Sequence, residues 1–177
     1  MASTFELITD YVAGSDVSVI DFASVTQAYE HLQLRISARS SYAGVSDDCR
    51  ISFNRSGTLG TWDQQLIMGM YSSDVVNEIF STYGQVWMPR LAGNTSSGGL
   101  FGAVFITISD YTNTSKRASI QWMGGNVHAT QSNQDKQISW GAASWSETTA
   151  ISEIRIQSGS SGIKAGSIVA MYGLKSS

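Results

Sequence analysis

Apolar and polar residues alternate with a period of two along most of the chain. The segment HLQLRISAR at 31–39 is the clearest case, because Leu32, Leu34 and Ile36 fall on one side of an extended strand and polar residues on the other. Successive side chains of a strand point to opposite faces, so this alternation predicts a strand with one buried face. About ten such strands are predicted, at 5–12, 17–22, 31–39, 49–54, 64–71, 100–111, 117–123, 137–145, 150–157 and 167–174.

Helical spacing occurs only in DVVNEIF at 74–80, where Asp74 is a candidate N-cap. We expect at most one short helix there, and no segment is long enough for the helix of a parallel crossover. Stretches rich in Gly, Ser and Asn separate the strands at short intervals. The pattern predicts an all-β protein with a single domain over 1–177, an antiparallel β-sandwich that is jelly-roll-like.

The two most strand-like segments of the last quarter of the chain flank a Gly/Ser-rich stretch. They predict a hairpin that closes the sandwich, with Lys164 at its exposed tip. Lys164 is therefore a candidate contact for a partner or a glycan. The expected inward row of this hairpin is Ile154, Ile156, Ile168, Ala170 and Tyr172.

Five tryptophans are many for 177 residues. Trp122 and Trp140 alternate with isoleucines, which predicts that both lie in the core. Trp62 and Trp145 stand nearer to turns, and exposed indoles of this kind stack on sugars or anchor protein interfaces. We therefore expect Trp62 and Trp145 to be candidate contacts for a partner protein or a glycan.

The charge pattern narrows the classes of partner. Charged residues make up 14% of the chain, below the roughly 25% usual in soluble domains. The net charge is −3, and the eleven basic residues are scattered rather than clustered, which argues against a nucleic-acid partner. The first ten residues lack the basic and apolar regions of a signal peptide, and no window resembles a membrane span. The expectation is synthesis in a cytoplasm with no membrane partner.

No pattern for a metal or a cofactor is present, so neither is expected. His31 and His128 lie in distant segments, and the pair Asp47–Asp48 has too few neighbouring oxygen ligands for a typical calcium loop. The single Cys49 cannot form an internal disulfide, and its alternation with Ile51 predicts a buried thiol.

Catalysis is also not expected. No nucleophile elbow, phosphate-binding loop or dinucleotide fingerprint occurs. A hydrolase would need two carboxylates in one cleft, and the sequence gives no reason to bring any two together. The carboxylates weighed for this role are Asp63, Asp74, Glu78, Glu147 and Glu153.

Several stretches together resemble a known family. They are YEHLQLRISAR at 29–39, ISFN at 51–54, LIMGMYSS at 66–73, FITISDYTNTSKRAS at 105–119, ISEIRIQSG at 151–159 and SIVAMYGLK at 167–175. In this order they resemble small β-rich structural proteins of tailed bacteriophages, including phages of cyanobacteria. The chain departs from the family pattern at Met171, where leucine is usual, and at MGMY (68–71), where the family tends to show LYGN.

The resemblance implies a non-enzymatic virion protein, made in the host cytoplasm and released by lysis. It implies a capsid decoration (cement) protein that binds the major capsid protein, or alternatively a tail-fibre or receptor-binding module that recognises a host glycan. Because virions are symmetric, a homo-oligomer is expected, with a trimer favoured over a dimer.

Overall fold

A computed structural model describes residues 4–55, 60–70, 73–126 and 137–175, with only the backbone described at Thr4, Met70 and 73–83. The described residues form strands and no helix, which confirms the all-β class. The described ranges contain twelve strands rather than about ten: β1 (Thr4–Val12), β2 (Val19–Phe22), β3 (His31–Ala38), β4 (Ser46–Phe53), β5 (Thr61–Met70), β6 (Ser73–Tyr83), β7 (Val86–Ala92), β8 (Gly102–Ser109), β9 (Ser119–Asn126), β10 (Gln137–Trp145), β11 (Ile154–Ser158) and β12 (Ile168–Lys175).

The strands form two sheets, and this confirms the antiparallel sandwich. The large sheet has eight strands in the order β1-β12-β3-β8-β9-β10-β5-β6, and the small sheet has four in the order β2-β11-β4-β7. Each paired strand within them runs antiparallel to its neighbour. The chain enters and leaves the small sheet four times, and such crossing between sheets is a feature of Greek-key and jelly-roll folds.

The inner faces of the two sheets share one hydrophobic cluster. In β3 the predicted alternation is confirmed, because Leu32 and Leu34 are fully buried and Ile36 is 4% exposed. Cys49 is also fully buried, as its pattern predicted. Pro89 lies in β7, an edge strand of the small sheet, where the pairing with β4 is irregular. This placement agrees with the absence of an amide proton on proline.

The segment 74–80, where at most one short helix was expected, is a strand. The backbone of this segment belongs to β6, which pairs with β5 through Gln65 with Ile79 and Ile67 with Asn77. A helix of two turns gains little stability by itself, whereas β-branched and aromatic residues such as those at 75, 76, 79 and 80 favour strands. Pairing with β5 supplies the backbone hydrogen bonds.

The closing hairpin is also wrong. β11 lies in the small sheet between β2 and β4, while β12 lies in the large sheet between β1 and β3. The Gly/Ser-rich stretch between them therefore connects the two layers. Its backbone is fixed to other loops, since the amide of Ile163 donates to the carbonyl of Val17 at 2.7 Å and the amide of Lys164 donates to that of Arg39 at 2.8 Å.

The predicted inward row is correct on β11 and inverted on β12. Ile154 and Ile156 are buried, but the core residues of β12 are Val169 and Met171, at 0% and 1% exposure. Nearly every position of this strand is apolar, so alternation alone does not determine which set points inward. The residues of β12 that point outward are Ile168, Ala170 and Tyr172.

Candidate interaction surface

Two of the three predicted contact residues lie in the core. Trp62 and Trp145 are 0% and 1% exposed, and they are direct cross-strand partners on β5 and β10. Their ring centroids are 6.2 Å apart, and the ring of Phe53 from the small sheet meets both edge-on at 4.9 and 5.7 Å. Because both indoles are enclosed by this cluster, the prediction that they contact a partner or a glycan is wrong.

Lys164 lies at the junction of several loops rather than at the tip of a hairpin. Its Nζ donates a 2.9 Å hydrogen bond to Oδ1 of Asn94 and lies 3.8 Å from Oδ2 of Asp16. The side chain is 32% exposed. Its ammonium group therefore bridges two loops on the protein's own surface, and a contact between Lys164 and a partner stays a prediction.

The outward side of the large sheet is not packed against any other sheet in the described part of the chain. β8 illustrates this, because Val104 and Ile106 are buried while Ala103 is exposed and Phe105 is half-buried. The strand predicted at 100–111 is therefore packed in the core on one side only. β8 is central in its sheet, but only its inner face is packed in the core.

Cross-strand pairing arranges the outward residues in rows, and we call three adjacent rows of them the outer face. The central row is Asp10, Ala170, Arg35, Phe105, Met123, Trp140 and Ile67. The row on one side of it is Val12, Ile168, Ser37, Ala103, Gly125, Ile138 and Gly69. The row on the other side is Leu7, Tyr172, Gln33, Thr107, Gln121, Ala142 and Gln65.

Large apolar side chains of the outer face are exposed to water. Trp140 is 67% exposed, Ile138 is 66% exposed and Met123 is 58% exposed. Ile67 on the neighbouring strand is 49% exposed. Isolated surface hydrophobics are ordinary, but contiguous ones such as these, on the neighbouring strands β9, β10 and β5, mark an interaction surface.

The exposed Trp140 corrects a further prediction, that both Trp122 and Trp140 lie in the core. Trp122 is 1% exposed and packs on the inner side of β10, against Gly141. A Cβ atom added to Gly141 would lie 2.2 Å from Cζ2 of Trp122, so the glycine provides the space for the indole. Since Gly141 faces inward, its neighbour Trp140 faces outward.

An aromatic cluster stands at the β1–β12 end of the outer face. The rings of Phe5 and Tyr172 are stacked with centroids 4.8 Å apart. Cζ of Arg35 lies 5.0 Å from the centroid of Tyr172 and 5.4 Å from that of Phe5. It also lies 5.9 Å from the centroid of Phe105. The cation of the central row is thus surrounded by π faces, which attract it electrostatically.

The outward side of the small sheet has a different character. Asp21 and Arg155 form a bidentate ion pair at 2.5 and 2.6 Å, and this pair raises the pKa of Arg155 through the hydrogen bond to Asp21. Arg50 lies 5.2 Å from the ring centroid of Trp87. A mixed-charge hollow opens there, but Asp21 and Arg155 in its lining already neutralise each other.

The chemistry of the described residues adds no other site. They contain no group of three or more His, Cys, Asp or Glu side chains arranged to hold a metal ion. In the same part of the chain, no helix is long and apolar enough to cross a membrane. His128, which was weighed as a metal ligand, and Tyr71, at the end of the strand predicted at 64–71, lie outside the described residues.

The outer face was not predicted from the sequence. Its signal is visible in QISWGAASW at 137–145, where Ile138 and Trp140 alternate with Ser139, Gly141 and Ala143. In the first part of this strand Ile138 and Trp140 belong to the exposed set, while the smaller Ser139, Gly141 and Ala143 belong to the buried set. Period-two alternation shows that two faces differ, but the partner strands decide which one is covered.

Comparison with known proteins gives no assignment. No protein-family model matches the chain. No curated protein matches its sequence.

Proposed function

We propose that this protein is a non-enzymatic structural component of a phage virion. In this proposal it is a capsid decoration protein on the particle surface, and it stabilises the lattice of the major capsid protein. It is made in the host cytoplasm and reaches the virion before lysis. The support from sequence is the resemblance of segments spread over nearly the whole chain to small β-rich virion proteins.

The observation that carries the proposal is the outer face. Trp140, Ile138 and Met123 each expose more than half of their surface, and they are neighbours on β9 and β10. Covering apolar surface contributes about 25 cal/mol per Å², so an assembled state in which this face is covered is favoured. A protein that acts by assembly has a use for such a face.

The contrast between the two sheets supports the same role. The outward side of the small sheet carries the ion pair of Asp21 with Arg155, and that of Arg90 with Asp48 at 3.5 Å. Charged side chains are depleted in the centres of interfaces and are frequent on surfaces that face water. A sandwich with one apolar and one charged side is suited to a molecule that forms an assembly on one side and meets solvent on the other.

The test is the composition of the particle. Mass spectrometry of virions purified from the phage that encodes the chain should detect the protein at a fixed ratio to the major capsid protein. Cryo-electron microscopy of the same particles should show it on the capsid exterior. Particles lacking it should release DNA at a lower temperature. Virions free of the protein would contradict the proposal.

A glycan-binding function is the second candidate, and one observation favours it. Trp140 is the most exposed of the indoles whose side chains are described. Gln65 and Gln121 flank Ala142 in the adjacent row and line the same hollow as Trp140. An indole beside two amides is a suitable platform for a sugar ring, which stacks on the indole and hydrogen-bonds to the amides.

The glycan candidate has its own experiment. Titration of host-surface oligosaccharides into the protein should quench the fluorescence of the wild type, and Trp140→Ala should abolish saturable binding. Trp87→Ala, on the other sheet, is the matched control. A glycan array with no binding, together with no fluorescence change, would remove this function and leave the structural one.

A further inference from the structure

We infer that the outer face packs against the outer face of a second copy of the chain, forming a two-fold symmetric dimer. The inference uses the proposed structural role only in assuming that the face is covered in the working protein. It concerns the partner, the symmetry and the contacts, and the purified protein alone can test it.

The size of the outer face fits such a contact. The seven strands of the large sheet whose side chains are described span about 29 Å at about 4.8 Å per strand. The three rows of the outer face cover about 20 Å along the strands. The resulting footprint is roughly 600 Å², and the accessible area of a corrugated surface exceeds its footprint. Standard protein interfaces bury about 800 Å² on each partner, so the face is large enough for a stable dimer.

The placement of the apolar residues selects the symmetry. Of the ten large apolar side chains that are exposed among the described residues, all but Tyr42 and Trp87 lie on this one side of the large sheet. The described outward side of the small sheet carries charged pairs such as Asp21 with Arg155. A trimer needs two different patches on each subunit, because its contacts are heterologous. A single self-complementary patch forms an isologous contact, which closes as a dimer. The expectation of a trimer came from virion symmetry alone, and the geometry favours the dimer.

The central row is self-complementary about an axis at the middle of the sheet. A two-fold axis parallel to the strands, between β8 and β9, places β8 over β9 and β3 over β10. Phe105 of one copy then faces Met123 of the other. Arg35 of one copy faces Trp140 of the other, so its guanidinium, which already lies over Phe105, gains an indole as a further aromatic partner.

The neighbouring rows agree with the same axis. In one row Ile138 faces Ser37, so a large side chain meets a small one. Ile168 similarly faces Gly69, which has no side chain. In the other row Tyr172 faces Gln65, which places a phenol opposite an amide. Large-to-small and donor-to-acceptor matching are what sheets packed about 10 Å apart require.

Charge does not oppose burial of the central part of the face. Arg35 is surrounded by aromatic rings, and the carboxylates Asp10 and Asp63 lie on β1 and β5, toward the sides of the sheet. Charges at the rim of an interface remain hydrated and cost little. The contact surface of the proposed dimer therefore has an aromatic and aliphatic centre with its acidic groups at the margin.

The first experiment measures mass in solution. Sedimentation equilibrium of the whole chain, from about 1 to about 100 μM, should give twice the 19.1 kDa chain mass at the upper end. Trp140→Gln and Ile138→Gln should each raise the dimer dissociation constant at least about tenfold. Trp87→Gln, a substitution on the outward side of the small sheet, should leave the dissociation constant unchanged. Circular dichroism should show that all three variants are folded.

The second experiment tests the position of the axis. The native Cys49 is buried and does not compete for thiol reagents. Gln121→Cys, next to the axis, should be cross-linked by a short bismaleimide, whereas Ala165→Cys, in the exposed loop before β12, should not. A monomer or a trimer at all concentrations, or cross-linking equal at both positions, would overturn the dimer.

The outcomes separate the occupants of the face. A monomer whose Trp140 variant loses binding to capsids or to a glycan would assign the face to that partner and overturn the dimer. A dimer that is absent from purified virions would sustain this inference and contradict the proposed virion role.

Discussion

Nη2 of Arg39 donates a 2.8 Å hydrogen bond to the carbonyl oxygen of Ser96, and both residues are 7% exposed. The same guanidinium donates to the carbonyls of Asn94, Ser97 and Leu100, at 3.1, 2.9 and 3.4 Å. Arg39 follows β3 in the chain, while its acceptors belong to the loop between β7 and β8. One buried cation therefore fixes the loop that joins the small sheet to the large sheet.

We predict that Arg39→Met destabilises the protein by about 3 kcal/mol, because it leaves several buried carbonyls without donors. Urea unfolding should show a lower midpoint, and hydrogen exchange should accelerate in residues 94–100 more than in β3. Arg117→Met, at an exposed position, is the control and should change stability by less than about 0.5 kcal/mol. Equal effects of the two substitutions would contradict the role of Arg39.

The indoles of the core and of the outer face should respond differently to the same substitution. Trp62→Ala removes a fully buried ring that contacts Phe53 and Trp145, and we expect a loss of about 3 to 5 kcal/mol. Trp140→Ala removes a ring that is 67% exposed, and we expect little change in a monomer. Urea unfolding at a protein concentration below the dissociation constant of the proposed dimer should distinguish the two variants. A loss of stability in Trp140→Ala as large as that in Trp62→Ala would show that Trp140 is packed.

Cys49 should be unreactive in the folded protein. Burial raises the pKa of its thiol from 9.0 to about 12, with smaller contributions from the nearby charges of Asp47 and Asp48. At pH 8 a chromogenic disulfide should therefore label the protein only after urea has unfolded it. Labelling in native buffer at the rate of the unfolded chain would contradict the burial of Cys49.

The same pKa shift makes stability depend on pH in a defined direction. Above pH 9 the thiol ionises in the unfolded chain but not in the folded one, so the free energy of unfolding falls as the pH rises from 9 toward 12. Below pH 9 the contribution of the thiol is constant. The difference in the free energy of unfolding between wild type and Cys49→Ala should therefore change only above pH 9. Taking this difference removes the contribution of the tyrosines, which is common to both proteins.

Truncation after Gly166 should produce an insoluble protein. It removes β12, which lies between β1 and β3 and contributes the buried Val169 and Met171. Both neighbouring strands would lose a pairing partner, and unpaired strands aggregate. Lys175→Glu, at the exposed end of β12, is the control that keeps the strand. A soluble truncated chain with the far-ultraviolet spectrum of the full chain would contradict the interior position of β12.

Periodicity predicted the elements better than their orientation. β3 was correct in position and in its buried set, because Leu32 and Leu34 alternate with Gln33 and Arg35. The prediction of β12 was correct in position and inverted in orientation, because apolar residues occupy both the inward and the outward positions of this strand. The information that orients β12 lies in its neighbours, since Val169 is directly paired with Ile36 of β3, which is buried.

The candidate site could not be predicted because it depends on the pairing of distant segments. Trp140 pairs with Met123 and Ile67, and nothing near residue 140 in the sequence indicates either partner. Trp62 and Trp145 were expected at the surface because of adjacent turns, but they face each other across β5 and β10. A turn ends a strand without deciding whether its last side chain points into the sandwich. The contacts of the proposed dimer depend on the same long-range pairing.

Pairing of β1 with β12 also has a consequence for how the chain folds. Val12 lies opposite Ile168, so β1 completes its ladder only after the long stretch between these two residues has been synthesised. Contacts so distant in sequence give a high contact order, and loop closure must be completed before they form, which makes folding slow. The N-terminal strand therefore leaves the ribosome long before its partner exists, and folding of the large sheet is completed after translation of residue 175.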